Sequence, residues 1–111
     1  MGGVQVPGHD IIEQGINIAS AATTTLVTAV SGKRVKAWGI YLKVAGTQSC
    51  TFEETGGTNL IGLLGFTARE ELDVTPDRPV PWITTAAGQG LAMVTASNQQ
   101  TSGRLYYTIE D

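Results

Sequence analysis

The chain has 111 residues, a formal net charge of −3 and a pI near 5.0. A chain of this length forms one domain, which excludes an enzyme with separate cofactor and substrate lobes. The acidic balance supplies no basic field to neutralise phosphates, so binding to nucleic acid or to an anionic membrane is not expected.

Residue composition points to strands rather than helices. Leucine, isoleucine, valine and phenylalanine account for 27 residues, which is enough for a folded core. Valine, isoleucine, threonine and the aromatic residues fit a pleated surface and account for 39 residues, whereas glutamate and lysine account for only 9. The composition therefore predicts an all-β domain.

The chain holds a single cysteine, Cys50, and a single histidine, His9. These two residues cannot form an internal disulfide or a zinc site, and we expect no metal and no cofactor. Residues 1–12 lack the basic segment and apolar stretch of an export signal, and no apolar run approaches the length of a membrane span. We expect the protein to stay where it is synthesised, or on a particle assembled there.

Residues 1–14 are interpreted as an N-terminal arm that precedes a β-sandwich domain spanning residues 15–111. Glycines and a proline interrupt the arm, which still carries the aliphatic residues Val4, Val6, Ile11 and Ile12. The arm is too short to bury these side chains by itself. We predict that it either becomes ordered on a partner or packs as an edge strand on its own domain.

Short runs of strand-forming residues follow the arm, separated by turn residues such as Ser31-Gly32, Gly56-Gly57 and Ser102-Gly103. This spacing predicts an antiparallel two-sheet β-sandwich, jelly-roll-like, or a flattened barrel. The predicted strands are Gly15–Ala19, Thr24–Val30, Lys33–Val44, Ser49–Glu54, Asn59–Leu64, Glu71–Thr75, Val80–Thr84, Leu91–Ala96 and Arg104–Glu110.

The long run from Lys33 to Val44 has apolar residues on both faces, which indicates a central strand. A short helix of one or two turns is the alternative for Thr67–Leu72. Strict alternation along the long strand places Trp38, Ile40, Leu42 and Val44 on one face and Val35, Ala37 and Tyr41 on the other.

No catalytic group is evident in the sequence. A serine or cysteine triad would have to use His9, which lies in the irregular arm, where catalytic geometry is poorly held. Adjacent acids on a strand point to opposite faces, and neither a calcium-binding loop nor a phosphate-binding glycine motif occurs. We therefore predict a protein that is not an enzyme. The acids considered for a carboxylate pair or a calcium site are Glu53, Glu54, Glu70, Glu71 and Asp73.

Two further features bear on partner binding. Lys33, Arg34 and Lys36 form the only positive cluster, which either meets an acidic partner or protects a strand end from edge pairing. Trp38 lies within a predicted strand, which favours a place in the core. Trp82 follows a proline-stiffened segment and is predicted either to pack in the core or to be presented at a surface.

The order of several motifs resembles that of small structural proteins of tailed bacteriophages. The segment 26–33 reads leu-val-x-ala-val-x-gly-lys and leads into the long strand, and Pro81-Trp82 follows later. Residues 85–91 read thr-ala-x-gly-x-x-leu, and residues 103–107 read gly-x-leu-x-tyr. The resemblance covers roughly residues 23–108 and leaves out the arm.

This resemblance implies a β-sandwich accessory protein of a virion, trimeric or otherwise clustered, without catalytic residues. We expect a capsid decoration protein that binds the major capsid protein and reinforces the lattice on the surface of a particle made in the bacterial cytoplasm. The resemblance implies that the protein self-associates as a homotrimer. Capsid binding is assigned to Val4, Val6, Ile11 and Ile12 of the arm together with Trp82.

The alternative is a receptor- or carbohydrate-binding module of a tail or fibre. Such a module would stack sugar faces on exposed aromatic side chains, and the candidates are Trp82, Tyr106 and Tyr107. Both functions need a rigid β-scaffold with adhesive surfaces, and the sequence leaves both open.

Overall fold

The computed structural model describes residues 11–77 and 79–111. Strands make up 61% of the described residues, and no helix occurs in these two ranges. The strands are β1 (Ile12–Ile18), β2 (Ala22–Val27), β3 (Arg34–Val44), β4 (Gln48–Glu54), β5 (Asn59–Phe66), β6 (Glu71–Val74), β7 (Ile83–Thr84), β8 (Leu91–Thr95) and β9 (Thr101–Glu110).

The strands form two antiparallel sheets that pack face to face. The first sheet has the order β1-β9-β3-β6, and the short strand β7 also pairs with β3. The second sheet has the order β2-β8-β4-β5. The prediction of an all-β, two-sheet antiparallel sandwich is confirmed.

The core lies between the sheets because alternate residues of each strand point to the opposite sheet. In β4, for example, Gln48, Cys50, Phe52 and Glu54 are buried, whereas the residues between them are partly exposed. Complete burial of a side chain such as that of Phe52 contributes about 1.5–3 kcal/mol to the free energy of unfolding.

Strand β3 departs from strict alternation at Trp38. Its register with β9 shifts between Ala37 and Gly39, where an extra residue forms a β-bulge. Ala37 and the apolar residues of 40–44 therefore point into the same core. Trp38 is buried outside that core, and its Nε1 donates a hydrogen bond to Thr108 Oγ1 at 2.9 Å. The predicted grouping of Trp38 with the apolar residues of 40–44 is wrong, because the bulge reverses the alternation.

Two other segments differ from the sequence-based expectations. Strand β1 begins at Ile12, which pairs with Tyr107 of β9. The first strand therefore starts three residues before the predicted start at Gly15. The segment Thr67–Leu72, the helix candidate, forms a turn that leads into β6. In this turn the Glu70 carboxylate accepts hydrogen bonds from the Thr67 amide and hydroxyl, which lower the pKa of Glu70.

The buried side-chain amide of Gln48 connects two segments of the chain at one end of the sandwich. Its Oε1 accepts hydrogen bonds from the Ala96 amide at 3.1 Å and the Ser97 amide at 2.8 Å. Its Nε2 donates to the Ser97 carbonyl at 2.8 Å and to Thr101 Oγ1 at 3.3 Å. The start of β4 is thereby tied to the connection between β8 and β9.

Candidate interaction surfaces

The outward face of the second sheet is formed by small and β-branched side chains. Thr23 of β2 lies opposite Val94 of β8, which lies opposite Thr51 of β4. The next row consists of Thr25, Ala92 and Glu53. We call the outward residues of these two rows the uncharged surface, since Glu53 is the only charged side chain among them. They are Thr23, Thr25, Thr51, Glu53 and Val94, together with Ala92, which is only 2% exposed.

The outward face of the first sheet has the opposite character. Lys43 lies between Ser102 of β9 and Glu71 of β6, and its Nζ is 3.6 Å from Glu71 Oε1. Arg104 Nη1 on β9 donates to Glu13 Oε1 on β1 at 2.9 Å. We call this face the charged surface.

Charge is therefore segregated between the two sheets. Within the described residues, the strands of the second sheet contain only two charged residues, Glu53 and Glu54. Glu54 is buried, and its Oε2 accepts a hydrogen bond from the Ala86 amide at 2.6 Å. Charged residues are commonly depleted at the centre of protein–protein interfaces because their desolvation is costly. The uncharged surface is depleted of charged residues in this way, and the charged surface is not.

A cleft of about 480 Å³ opens at one end of the charged surface. Its cationic side chains are Lys43 and Arg69, and its polar lining includes Gln100 and Ser102. Arg69 has a φ of 68°, and among the described residues it is the only non-glycine residue with positive φ. Its amide donates to the Val44 carbonyl at 2.8 Å, which holds the turn against β3. The cleft also has an apolar lining, and its two cations suit an anionic group, although Lys43 is already paired with Glu71.

No metal-binding cluster is assembled in the described parts of the chain. No group of three or more His, Cys, Asp or Glu residues is close enough there to hold a metal ion. Cys50 is buried, and its burial raises the pKa of the thiol to about 11, which makes the reactive thiolate rare at neutral pH. Residues 11–77 and 79–111 also contain no helix able to span a membrane.

The predicted binding residues do not form one described cluster. Val4 and Val6 lie outside the described residues, as does His9. Ile11 is partly exposed, and Ile12 is 44% exposed at the start of β1. Trp82 is partly buried, and its ring lies edge to face against Phe52 in the core, with 5.2 Å between the ring centroids.

The aromatic candidates for sugar stacking are also separated. Tyr107 is buried in the core and offers no ring face to a ligand, whereas Tyr106 is partly exposed on the charged surface. Tyr106 lies opposite Glu13 of β1 and Gly39 of β3. Of the two tyrosines, only Tyr106 is placed to contact a saccharide.

Sequence reasoning missed the uncharged surface. Its residues come from three strands that are distant in the sequence, and their adjacency depends on the strand order β2-β8-β4. Within β4 the signal was the alternation of Ser49 and Thr51 with the buried residues Cys50 and Phe52.

Comparisons with known proteins identify no relative of this chain. A scan against family models, a search of curated proteins and a search of solved structures each found no match.

Proposed function

We propose that the protein is a virion structural protein that decorates a bacteriophage capsid and binds the capsid lattice through the uncharged surface. The observation that carries this proposal is the segregation of charge between the two sheets. The phage assignment itself derives from the resemblance of the motifs in residues 23–108. A decoration protein acts by binding and needs a rigid scaffold with an adhesive face, and no catalytic centre.

The chemistry of the uncharged surface supports a protein partner. Thr23, Val94 and Thr51 form a row of short side chains, whose ordering on binding costs little conformational entropy. Desolvating this row leaves no buried charge without a partner. Glu53 in the adjoining row supplies one charge at which the orientation of the partner can be fixed.

Placing a lysine on either face tests the proposal directly. Thr23→Lys adds a charge to the uncharged surface, and Asn17→Lys adds the same charge to the first sheet. Both positions are exposed on edge strands, so neither substitution should unfold the protein. Purified variants are added to capsids that lack the protein, and the bound fraction is measured by co-sedimentation.

We expect Thr23→Lys to weaken capsid binding tenfold or more, since an unpaired lysine would be buried at the contact. Asn17→Lys should bind like the wild-type protein. Failure of the wild-type protein to bind the capsids would refute the proposed function. Weaker binding of Asn17→Lys alone would show that the first sheet faces the capsid.

The second candidate function is binding of a receptor or carbohydrate by a tail or fibre module. The basic cleft beside Lys43 and Arg69, with Tyr106 on the same sheet, favours this alternative. It predicts that Arg69→Ala and Tyr106→Ala abolish adsorption to host cells and leave capsid binding unchanged. The capsid-binding and adsorption assays therefore separate the two functions.

A further inference from the structure

Strand β5 forms a free edge of the second sheet. It pairs with β4 on one side, and no other strand of the described residues pairs with it on the other. Its eight residues contain no charged residue and no proline. Leu63 is 72% exposed, the highest exposure among the large apolar side chains of the described residues.

The other sheet edges are protected in ways that β5 is not. The outer strands β1 and β6 of the first sheet carry the acids Glu13, Glu71 and Asp73. Strand β2 is uncharged, but its large apolar residues Leu26 and Val27 are buried. Natural proteins protect exposed edges with charge or proline, because an open edge recruits another strand. Strand β5 combines an open edge with exposed apolar side chains.

The charge pattern of β5 fits a second copy of the same strand. Around a two-fold axis only the residues close to the axis lie near their own copies, so a charged residue there would meet a like charge. Strand β5 carries no charge that would oppose this arrangement.

The middle of β5 combines one large exposed side chain with two glycines. Leu63 projects beside Gly62, and a Cβ built on Gly62 or on Gly65 would meet no atom within 4 Å. Gly62 and Gly65 place no side chain around Leu63, so a second strand can approach the leucine closely. The β-bulge opposite β4, where Cys50 pairs with Leu64 and Phe52 pairs with Ile61, lies at the same position.

We infer that β5 pairs antiparallel with β5 of a second copy of this chain, across a two-fold axis near Leu63, and joins two four-stranded sheets into one of eight strands. Such a contact closes after two copies, in contrast to the three copies that the sequence resemblance implies. The inference concerns the free protein and does not depend on the proposed capsid function.

The expected affinity is modest. A paired strand of this length spans about 26 Å, and the area that it buries falls below the roughly 1,200 Å² typical of stable complexes. We therefore expect dimerisation in about the micromolar to millimolar range. Copies held side by side on a particle would pair more completely, because their effective concentration is higher.

Analytical ultracentrifugation over a range from about 5 μM to 1 mM tests the inference. We expect the mass to rise from 11.7 kDa towards twice that value. Leu63→Lys and Leu63→Glu should each raise the dimer Kd at least tenfold, and an equimolar mixture of the two should restore dimers. Val30→Lys is the matched control, because Val30 is 41% exposed and lies away from β5.

Several outcomes would overturn the inference. These are a monomer at every concentration, a trimer, or Leu63 variants that dimerise like the wild-type protein. A variant lacking residues 2–10 tests whether the arm of the second copy, rather than its β5, occupies the edge. If the deletion and Leu63→Lys each abolish dimers, the edge binds the arm of the second copy rather than its β5.

Discussion

The indole ring of Trp82 meets the phenyl ring of Phe52 edge to face, with 5.2 Å between the ring centroids. Phe52 is fully buried in the second sheet, and the Trp82 amide donates to the Ala37 carbonyl of the first sheet at 2.7 Å. The residue that the sequence marked as a possible contact thus links the segment before β7 to the core between the sheets.

Replacement of Trp82 by alanine is expected to destabilise the fold. The substitution removes a partly buried ring and its aromatic contact, so we expect the free energy of unfolding to fall by about 2–3 kcal/mol. Trp82→Phe should recover about half of this loss. Urea denaturation followed by circular dichroism gives the values. Unchanged stability of Trp82→Ala together with lost capsid binding would instead support a direct contact role for Trp82.

The buried amide of Gln48 should contribute more to stability than an exposed glutamine. Gln48→Ala leaves the Ser97 amide without its acceptor and removes one of the two acceptors of the Ala96 amide, which also donates to the Ser49 carbonyl at 3.1 Å. We expect a loss of roughly 2–3 kcal/mol in the free energy of unfolding. Gln14→Ala, at an exposed position of β1, should change it by less than about 0.5 kcal/mol. Equal urea midpoints for the two variants would show that the Gln48 hydrogen bonds do not stabilise this end.

Burial of Cys50 predicts a loss of stability at alkaline pH. The pKa of the thiol is raised from 9.0 to about 11 in the folded protein, so the unfolded chain releases its proton first as the pH rises. The free energy of unfolding should therefore decrease between pH 9 and pH 11, by at most about 3 kcal/mol. Below pH 9 this contribution is absent.

Comparison with Cys50→Ala isolates the effect of the thiol, since tyrosine and lysine residues also titrate in this range. The stability difference between the two proteins should narrow as the pH rises from 9 to 11. A difference that stays constant over this interval would contradict the assignment to Cys50.

The arm remains a predicted capsid contact. Because β1 begins at Ile12, the informative truncation removes residues 2–10 and leaves the strand intact. We expect this truncation to change the melting temperature little and to weaken binding to capsids that lack the protein. Loss of folding would place the arm in the structure of its own domain, and full capsid binding would leave the contact to the uncharged surface.

Local pattern was sufficient to predict the fold class. Alternation along β4 identifies the strand and its buried face, because its burial has a period of two. The same rule fails at Trp38, where one extra residue in β3 reverses the faces. A bulge depends on the pairing with β9, which no residue within β3 reveals.

The candidate site was less accessible to sequence reasoning. The uncharged surface needs Thr23, Val94 and Thr51 side by side, and these residues are separated by up to 71 positions in the chain. The edge position of β5 is likewise a property of strand order. The sequence of individual segments favoured the aliphatic arm and Trp82 as binding residues, because their apolar character is evident without knowledge of the strand order.

Cryo-electron microscopy of the parent particle, with and without this protein, tests the proposed function most directly. The account predicts added density on the outer capsid surface, fitted by the sandwich with the sheet β2-β8-β4-β5 against the lattice and Thr51 and Val94 at the contact. Identical particles, added density at the tail, or a sandwich that presents the charged surface to the shell would contradict it.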